Sequence, residues 1–166
     1  MRIVGIDPGL KGGIAIIDDD KLIYASMVPV VTEPYLRKGK KSTRNIMDLP
    51  AIVEILKQYN PECGALEKVS ARSSQGVTSM FRFGTGLGEY RGILAALGIP
   101  FINPTPQSWK KHHDLIGSAD KLPSLDLARE LWPDHAKTSF RLKKHDGVAE
   151  ASLIAKYGLD NQDLFS

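Results

Sequence analysis

Four acidic residues stand where acids are costly. Asp7 ends the apolar run R-I-V-G-I-D at residues 2–7 and is followed by Pro8-Gly9, and Glu67 closes the apolar stretch Ala65-Leu66-Glu67. Carboxylates next to a core need partners, because burying an unpaired charge is strongly unfavourable. Asp146 and Glu150 are four residues apart, which puts both on one face of a helix near its start. Each acid has an ordinary role open to it. Asp7 can accept backbone N–H groups in the Pro8-Gly9 turn, Glu67 can pair with Lys68 or Arg72 at a sheet edge, and the other two can complement a helix dipole. Those separate roles do not explain a helix face with two acids packing on a sheet with two more. Brought together, the four make a hard, all-oxygen site suited to Mg²⁺, with Mn²⁺ as a substitute. Carboxylates this close repel and raise one another's pKa values. Two divalent ions about 3.5–4 Å apart would relieve the repulsion, activate a water and stabilise the leaving oxygen of a phosphodiester.

The elements that must hold these acids follow from periodicity. Short β-rich runs at 2–7, 12–18 and 22–31, separated by turn residues, predict an antiparallel meander. A helix capped by Asn45 or Asp48 runs to Tyr59, and a strand follows at 63–69. A long helix at 77–97 carries Met80, Phe81, Leu87, Tyr90, Ile93, Leu94 and Leu97 at roughly helical spacing. A strand at 99–102 leads through Pro104 and Pro106 into a turn before Trp109, with His112 and His113 in a polar turn. Ser118 or Asp120 opens a helix to Leu131, and the last helix spans 145–157 with Gly158 as its stop. The order β-β-β-α-β-α-β-α-α predicts an α/β fold, a mixed sheet with helices packed on it. Residues 34–45, with Arg37, Lys38, Lys40, Lys41 and Arg44, read as a solvated loop.

At 166 residues the chain suits one domain, 1–166, since domains run roughly 100–200 residues. A net charge of +3 leaves nucleic acid open without arguing for it. The single cysteine, Cys63, excludes an internal disulfide and a multi-cysteine zinc site. No apolar run approaches the length of a membrane span, so no membrane partner is expected. The start lacks a signal-peptide pattern, which predicts a cytoplasmic protein of a bacterium or of a phage in its host. An organelle would require a transit peptide already removed.

G-I-D-P-G at 5–9, A-L-E at 65–67 and K-H-D-G-V-A-E-A-S-L-I-A at 144–155 together resemble the RuvC-type Holliday junction resolvases, over almost the whole chain. I-G-S-A-D-K at 116–121 resembles the family's segment before the last acidic helix. The spacing of Asp146 and Glu150 is closer to the plastid and phage branches than to the common bacterial enzyme, which usually has two aspartates three apart. The resemblance implies a ribonuclease H-like mixed five-stranded sheet, three antiparallel strands then two parallel, flanked by helices. It implies a homodimer that resolves four-way DNA junctions by paired symmetric nicks. Asp7, Glu67, Asp146 and Glu150 match the family's acids and would hold two Mg²⁺ ions, with Mn²⁺ able to substitute. Lys110 and Lys121 match lysines serving DNA binding or the scissile phosphate, and Lys121 is taken as catalytic. His145 is adjacent to, but offset from, a histidine of some members.

A junction enzyme must neutralise phosphates on several arms. The candidates are Arg37, Lys38, Lys40, Lys41, Lys110, Lys111, Lys121, Lys143 and Lys144. Arg72, Ser73 and Ser74, just after Glu67, could hydrogen-bond backbone or bases, or form an ordinary loop with Thr78 or Ser79 as a helix cap. Met80, Phe81 and Phe83 fit a core or a dimer interface better than a wedge between bases. The glycine-bearing helix 77–97 is the candidate interface. An actin-like or sugar-kinase ATPase can also begin G-I-D-x-G but needs two such domains, so no nucleotide cofactor is expected. A related nuclease acting on RNA–DNA hybrids or other branched DNA shares the acids, and a non-catalytic module would be expected to have lost one.

Overall fold

A computed structural model describes residues 1–69, 76–117 and 122–165. Strands β1 (Arg2–Asp7), β2 (Gly13–Asp18) and β3 (Lys21–Met27) pair antiparallel, while β6 (Cys63–Leu66) and β7 (Phe101–Ile102) join parallel on the other side of β1. The five-stranded sheet runs β3-β2-β1-β6-β7, the mixed topology expected. Between β3 and β6 lie β4 (Val30–Arg37), β5 (Lys40–Met47) and helix α1 (Leu49–Tyr59). Then come α2 (Val77–Ala96), α3 (Pro106–His112), α4 (Pro123–Leu131) and α5 (Asp146–Asp160).

Central β1 is apolar almost throughout because both of its faces are covered. Side chains alternate between two layers. Ile3, Ala15, Ile17, Cys63 and Ala65 pack with α4 and α5 on one face, whereas Val4, Ile6, Ile14, Ile16 and Leu66 pack with α1 and α2 on the other. The same alternation gives the α5 face to Gly5 and Asp7. A methyl on Gly5 would collide with the Ala151 carbonyl oxygen and lie 2.7 Å from Ala155 Cβ. At the far end of this contact Gly12 and Gly147 form a parallel β-bridge, and a methyl on Gly147 would come within 2.7 Å of Gly12 Cα. At these glycines helix α5 therefore meets the backbone of β1 and β2 directly.

Several elements differ from expectation. The cationic segment 34–45 is not a loop but most of a two-stranded ribbon, β4–β5, paired from Val30↔Met47 to Arg37↔Lys40. Lys38 and Gly39, both with positive φ (50° and 76°), form its two-residue turn, the geometry that matches strand twist. The third strand consequently ends at Met27, with Val28 buried and Pro29 accepting the Asp48 N–H (2.9 Å). Asp48, not Asn45, caps α1, accepting from the Ala51 N–H at 3.1 Å. The turn before Trp109 is helix α3, capped by Thr105, and it carries Trp109 and His112, with His113 next to its end. Helix α4 starts at Pro123, a residue suited to a first helical position; Ser118 and Asp120 lie outside the described residues. Gly158 does not stop α5. It lies inside the helix, where a methyl would come within 2.5 Å of Ile3 Cδ1. Only Tyr90 and Leu94 of α2 are buried, and Phe81 is 75% exposed, so its first turns are not core.

Adding a methyl between two backbones leaves no low-energy rotamer escape. Gly5→Ala should destabilise the fold by about 3 kcal/mol, the upper range for overpacking. Chemical denaturation measures this directly, and an unchanged midpoint would mean that α5 does not lie on β1.

Candidate active site

Strands β1 and β6 are parallel neighbours, so their C-terminal ends lie at the same edge of the sheet. Asp7 is the last residue of β1. Glu67 directly follows β6, and its N–H donates to the Ile6 carbonyl at 3.0 Å. Asp146 is the first residue of α5 and Glu150 lies one turn on. The Gly12–Gly147 bridge ties the start of α5 to the turn after β1. As a result, Asp7 Oδ2 is only 2.9 Å from where a Gly147 side chain would begin.

The electrostatics show the consequence. Burial pushes the Asp7 carboxyl up to about 8, reinforced by the charges of Glu150, Glu67 and Asp146 and only partly offset by Lys110. Asp146 is also raised, by burial and then by Glu150, with Lys110 opposing. Lys110 Nζ sits 2.9 Å from Glu150 Oε1 and 4.9 Å from the centre of the Trp109 ring. Burial works to lower the Lys110 pKa, yet its hydrogen bond to Glu150 and the charges of Glu150, Glu67 and Asp146 raise it overall. The Ser124 hydroxyl donates to the same Glu150 oxygen at 3.4 Å.

Trp109 is fully buried, and its indole N–H donates to Glu67 Oε1 at 2.8 Å. Sequence reasoning missed this contact, although a buried tryptophan N–H usually requires a partner. Asn103 is another missed residue: its amide donates to the Leu66 carbonyl (2.9 Å) and accepts from Arg91 (2.8 Å), bracing the end of β6.

The other expected residues fall on several elements. Lys143 and Lys144 are exposed on the turn leading into α5, and Lys111 is exposed on α3. Lys38, Lys40 and Lys41 are exposed at the ribbon tip, and Arg37 is the last residue of β4. His145 precedes Asp146. Burial and the charges of Lys144 and Arg141 hold its pKa below the ordinary value, while its Nδ1 accepts from the Leu142 N–H at 3.4 Å. Arg72, Ser73, Ser74 and Lys121 lie outside the described residues.

Among the described residues, no three His, Cys, Asp or Glu side chains converge closely enough to share a metal ion. Lys110 and Trp109 instead occupy oxygens of Glu150 and Glu67. The donor set nevertheless fits hard divalent cations: it is all carboxylate, and after desolvation the charges of Glu150, Glu67 and Asp146 add to the Asp7 shift while Lys110 opposes them only in part.

This sheet order, with acids at the ends of two central parallel strands and on a helix crossing them, is that of the ribonuclease H-like fold. A RuvC crossover junction endodeoxyribonuclease of Albidiferax ferrireducens is 30% identical over 138 residues, 79% of this chain and 72% of the relative. The Paenarthrobacter aurescens RuvC is 30% identical over 122 residues, and the chain spans 64% of it, under two thirds of its length. Solved Thermus thermophilus RuvC superposes over 96% of both chains at a TM-score of 0.60 and 17% identity. The same protein in complex with a Holliday junction substrate gives 0.60 at 14% identity, over 100% of this chain and 98% of that one. No family model matches the chain. The chain belongs to the RuvC family.

An unfolded chain releases the Asp7 proton near its ordinary value of 3.8, whereas the folded protein holds it to about 8. In metal-free buffer this contribution to stability is fully present below the lower value and is lost as pH rises through the upper one. Adding Mg²⁺ should raise the melting temperature more at pH 8 than at pH 5, because bound carboxylates must be deprotonated; an equal shift at both would contradict it. Trp109→Phe keeps most of the buried ring but removes the hydrogen bond to Glu67, and should cost about 1.5–3 kcal/mol in metal-free denaturation.

Proposed function

We propose that the chain is a divalent-cation-dependent endonuclease that resolves four-way DNA junctions by paired symmetric nicks. The observation that carries this reading is the electrostatic coupling of Asp7 to Glu67, Asp146 and Glu150, in a chain of the RuvC family. Asp7, Glu67, Asp146 and Glu150 would hold two cations, Mg²⁺ or Mn²⁺. When bound, these supply Lewis acidity to the attacking water and the leaving oxygen of an in-line displacement.

The chain's own residues do the rest. Asp7 gives up its proton before it can ligate. Trp109 fixes one oxygen of Glu67 and so aims the other. Lys110 neutralises Glu150 until a cation or phosphate arrives and is then available to the DNA backbone. Lys121 is assigned to the scissile phosphate from its position in the family motif. Lys111, Lys143 and Lys144 are assigned to phosphates of the arms, and Arg72, Ser73 and Ser74 to backbone or bases near the cut.

We read residues 1–166 as one nuclease domain acting as a homodimer, because two symmetric nicks match a two-fold protein. Exposed Val77 and Phe81 on the projecting turns of α2 support an interface there. The spacing of Asp146 and Glu150 supports a place with phage and plastid members, and a DNA substrate fits the cytoplasm of a bacterium or phage host. Among the described residues no helix is long and apolar enough to cross a membrane.

Cleavage of a synthetic immobile four-way junction, beside linear duplex and RNA–DNA hybrid, tests the reading. Paired symmetric nicks on the junction alone are expected with Mg²⁺ or Mn²⁺, and equal cutting of the hybrid would overturn it. Asp7→Asn should abolish detectable cutting while junction binding persists.

A further inference from the structure

Among the described residues the β4–β5 ribbon belongs to a sheet of its own, carries none of the four acids, and packs mainly between its two strands. Val28 and Met47 anchor its root in the core, whereas Leu36 near the tip is 71% exposed. A two-stranded ribbon alone is marginally stable in water. Here a Glu33–Arg44 ion pair at 2.6 Å, Arg44 stacked 5.4 Å from the Tyr35 ring centre and a Thr32–Asn45 hydrogen bond at 3.2 Å stiffen it. Glu33 is the only acid between Val30 and Met47, and it is engaged by Arg44. Lys38, Lys40 and Lys41 are therefore exposed at the tip with their charge uncompensated by the ribbon itself.

We propose that this ribbon is an arm-binding element that lies in a groove of duplex DNA, away from the nicking centre. The inference rests on the junction-nuclease reading. Shape and charge both favour the occupant. The major groove of B-DNA admits a two-stranded ribbon, and three clustered lysines match its phosphate walls. A second copy of the chain is disfavoured, because lysines and Pro34 on the strands oppose edge-to-edge strand addition. Eight-residue strands rising about 3.4 Å per residue reach roughly 25 Å from the root, or about seven base pairs of an arm.

The test measures metal-free binding to four-way junctions with arms of about 6 or about 20 base pairs, and to linear duplex, as a function of salt. The wild-type chain should gain affinity with the longer arms. Lys38→Ala/Lys40→Ala/Lys41→Ala should lose roughly tenfold to a hundredfold on long arms, and its salt slope should shrink by about 2.7, or about 0.9 per phosphate lost. Lys→Arg at the same positions should retain wild-type binding, and unchanged circular dichroism would show that the alanine variant folds. Equal affinity and slope for the alanine variant and wild type on long arms would overturn the proposal. Wild-type binding without preference for junction over duplex would instead overturn the junction reading. A slope difference on the duplex would then still support the ribbon as a DNA contact.

Discussion

Helix α5 touches the backbone of β1 with no side chain between them, and the rest of the molecule is arranged around that contact. Gly5 faces Ala151 and Ala155, and Gly147 bridges to Gly12. Ordinary helix-on-sheet packing would hold the helix farther off by the thickness of a side-chain layer. Here that layer is missing along one line, so the first turn of α5 is brought down to the end of β1. Asp146 and Glu150 are thereby placed within electrostatic reach of an Asp7 that is half-buried at the end of β1. The apolar residues Val148, Leu153 and Ile154 of the same helix pack with the sheet and α4, holding it down against the repulsion it creates.

That repulsion is the functional asset and the structural cost of the arrangement. Without a cation the protein balances it incompletely, by keeping the Asp7 proton and drawing Lys110 onto Glu150. Half-buried carboxylates satisfied in this way are poised rather than at rest, because a divalent ion supplies what one ammonium and one proton supply only in part. Helix α3 links the two conditions: adjacent residues on it, Trp109 and Lys110, hold Glu67 and Glu150 respectively.

Much of this was legible in the sequence. The first two antiparallel strands, the strand after α1 and the two acids on α5 followed from periodicity and residue type, because those features are local, whereas the cap of α1 stayed open between Asn45 and Asp48. The glycine contact was not legible, since Gly5 reads as any residue in a β run and Gly158 reads as a helix stop. Only the tertiary approach of two backbones reveals why each is small. The ribbon was missed for a related reason. Strand β5 is polar until Ile46 and Met47, and the apolar residues of β4 fall on both of its faces, so neither shows the alternation of a half-buried strand, and the run R-K-G-K-K looks like solvated loop rather than the tip of a hairpin. Trp109 was visible as a residue but not as a partner of Glu67, because 42 positions separate them.

The shared carboxylate site is tested most directly by following the Asp7 side-chain carboxyl through a pH titration by ¹³C NMR, in wild type and in Glu150→Gln. In metal-free wild type its pKa should lie near 8, and it should fall when the Glu150 charge is removed. Titration near the ordinary 3.8 in both proteins would mean that α5 and β1 do not bring their acids into one site.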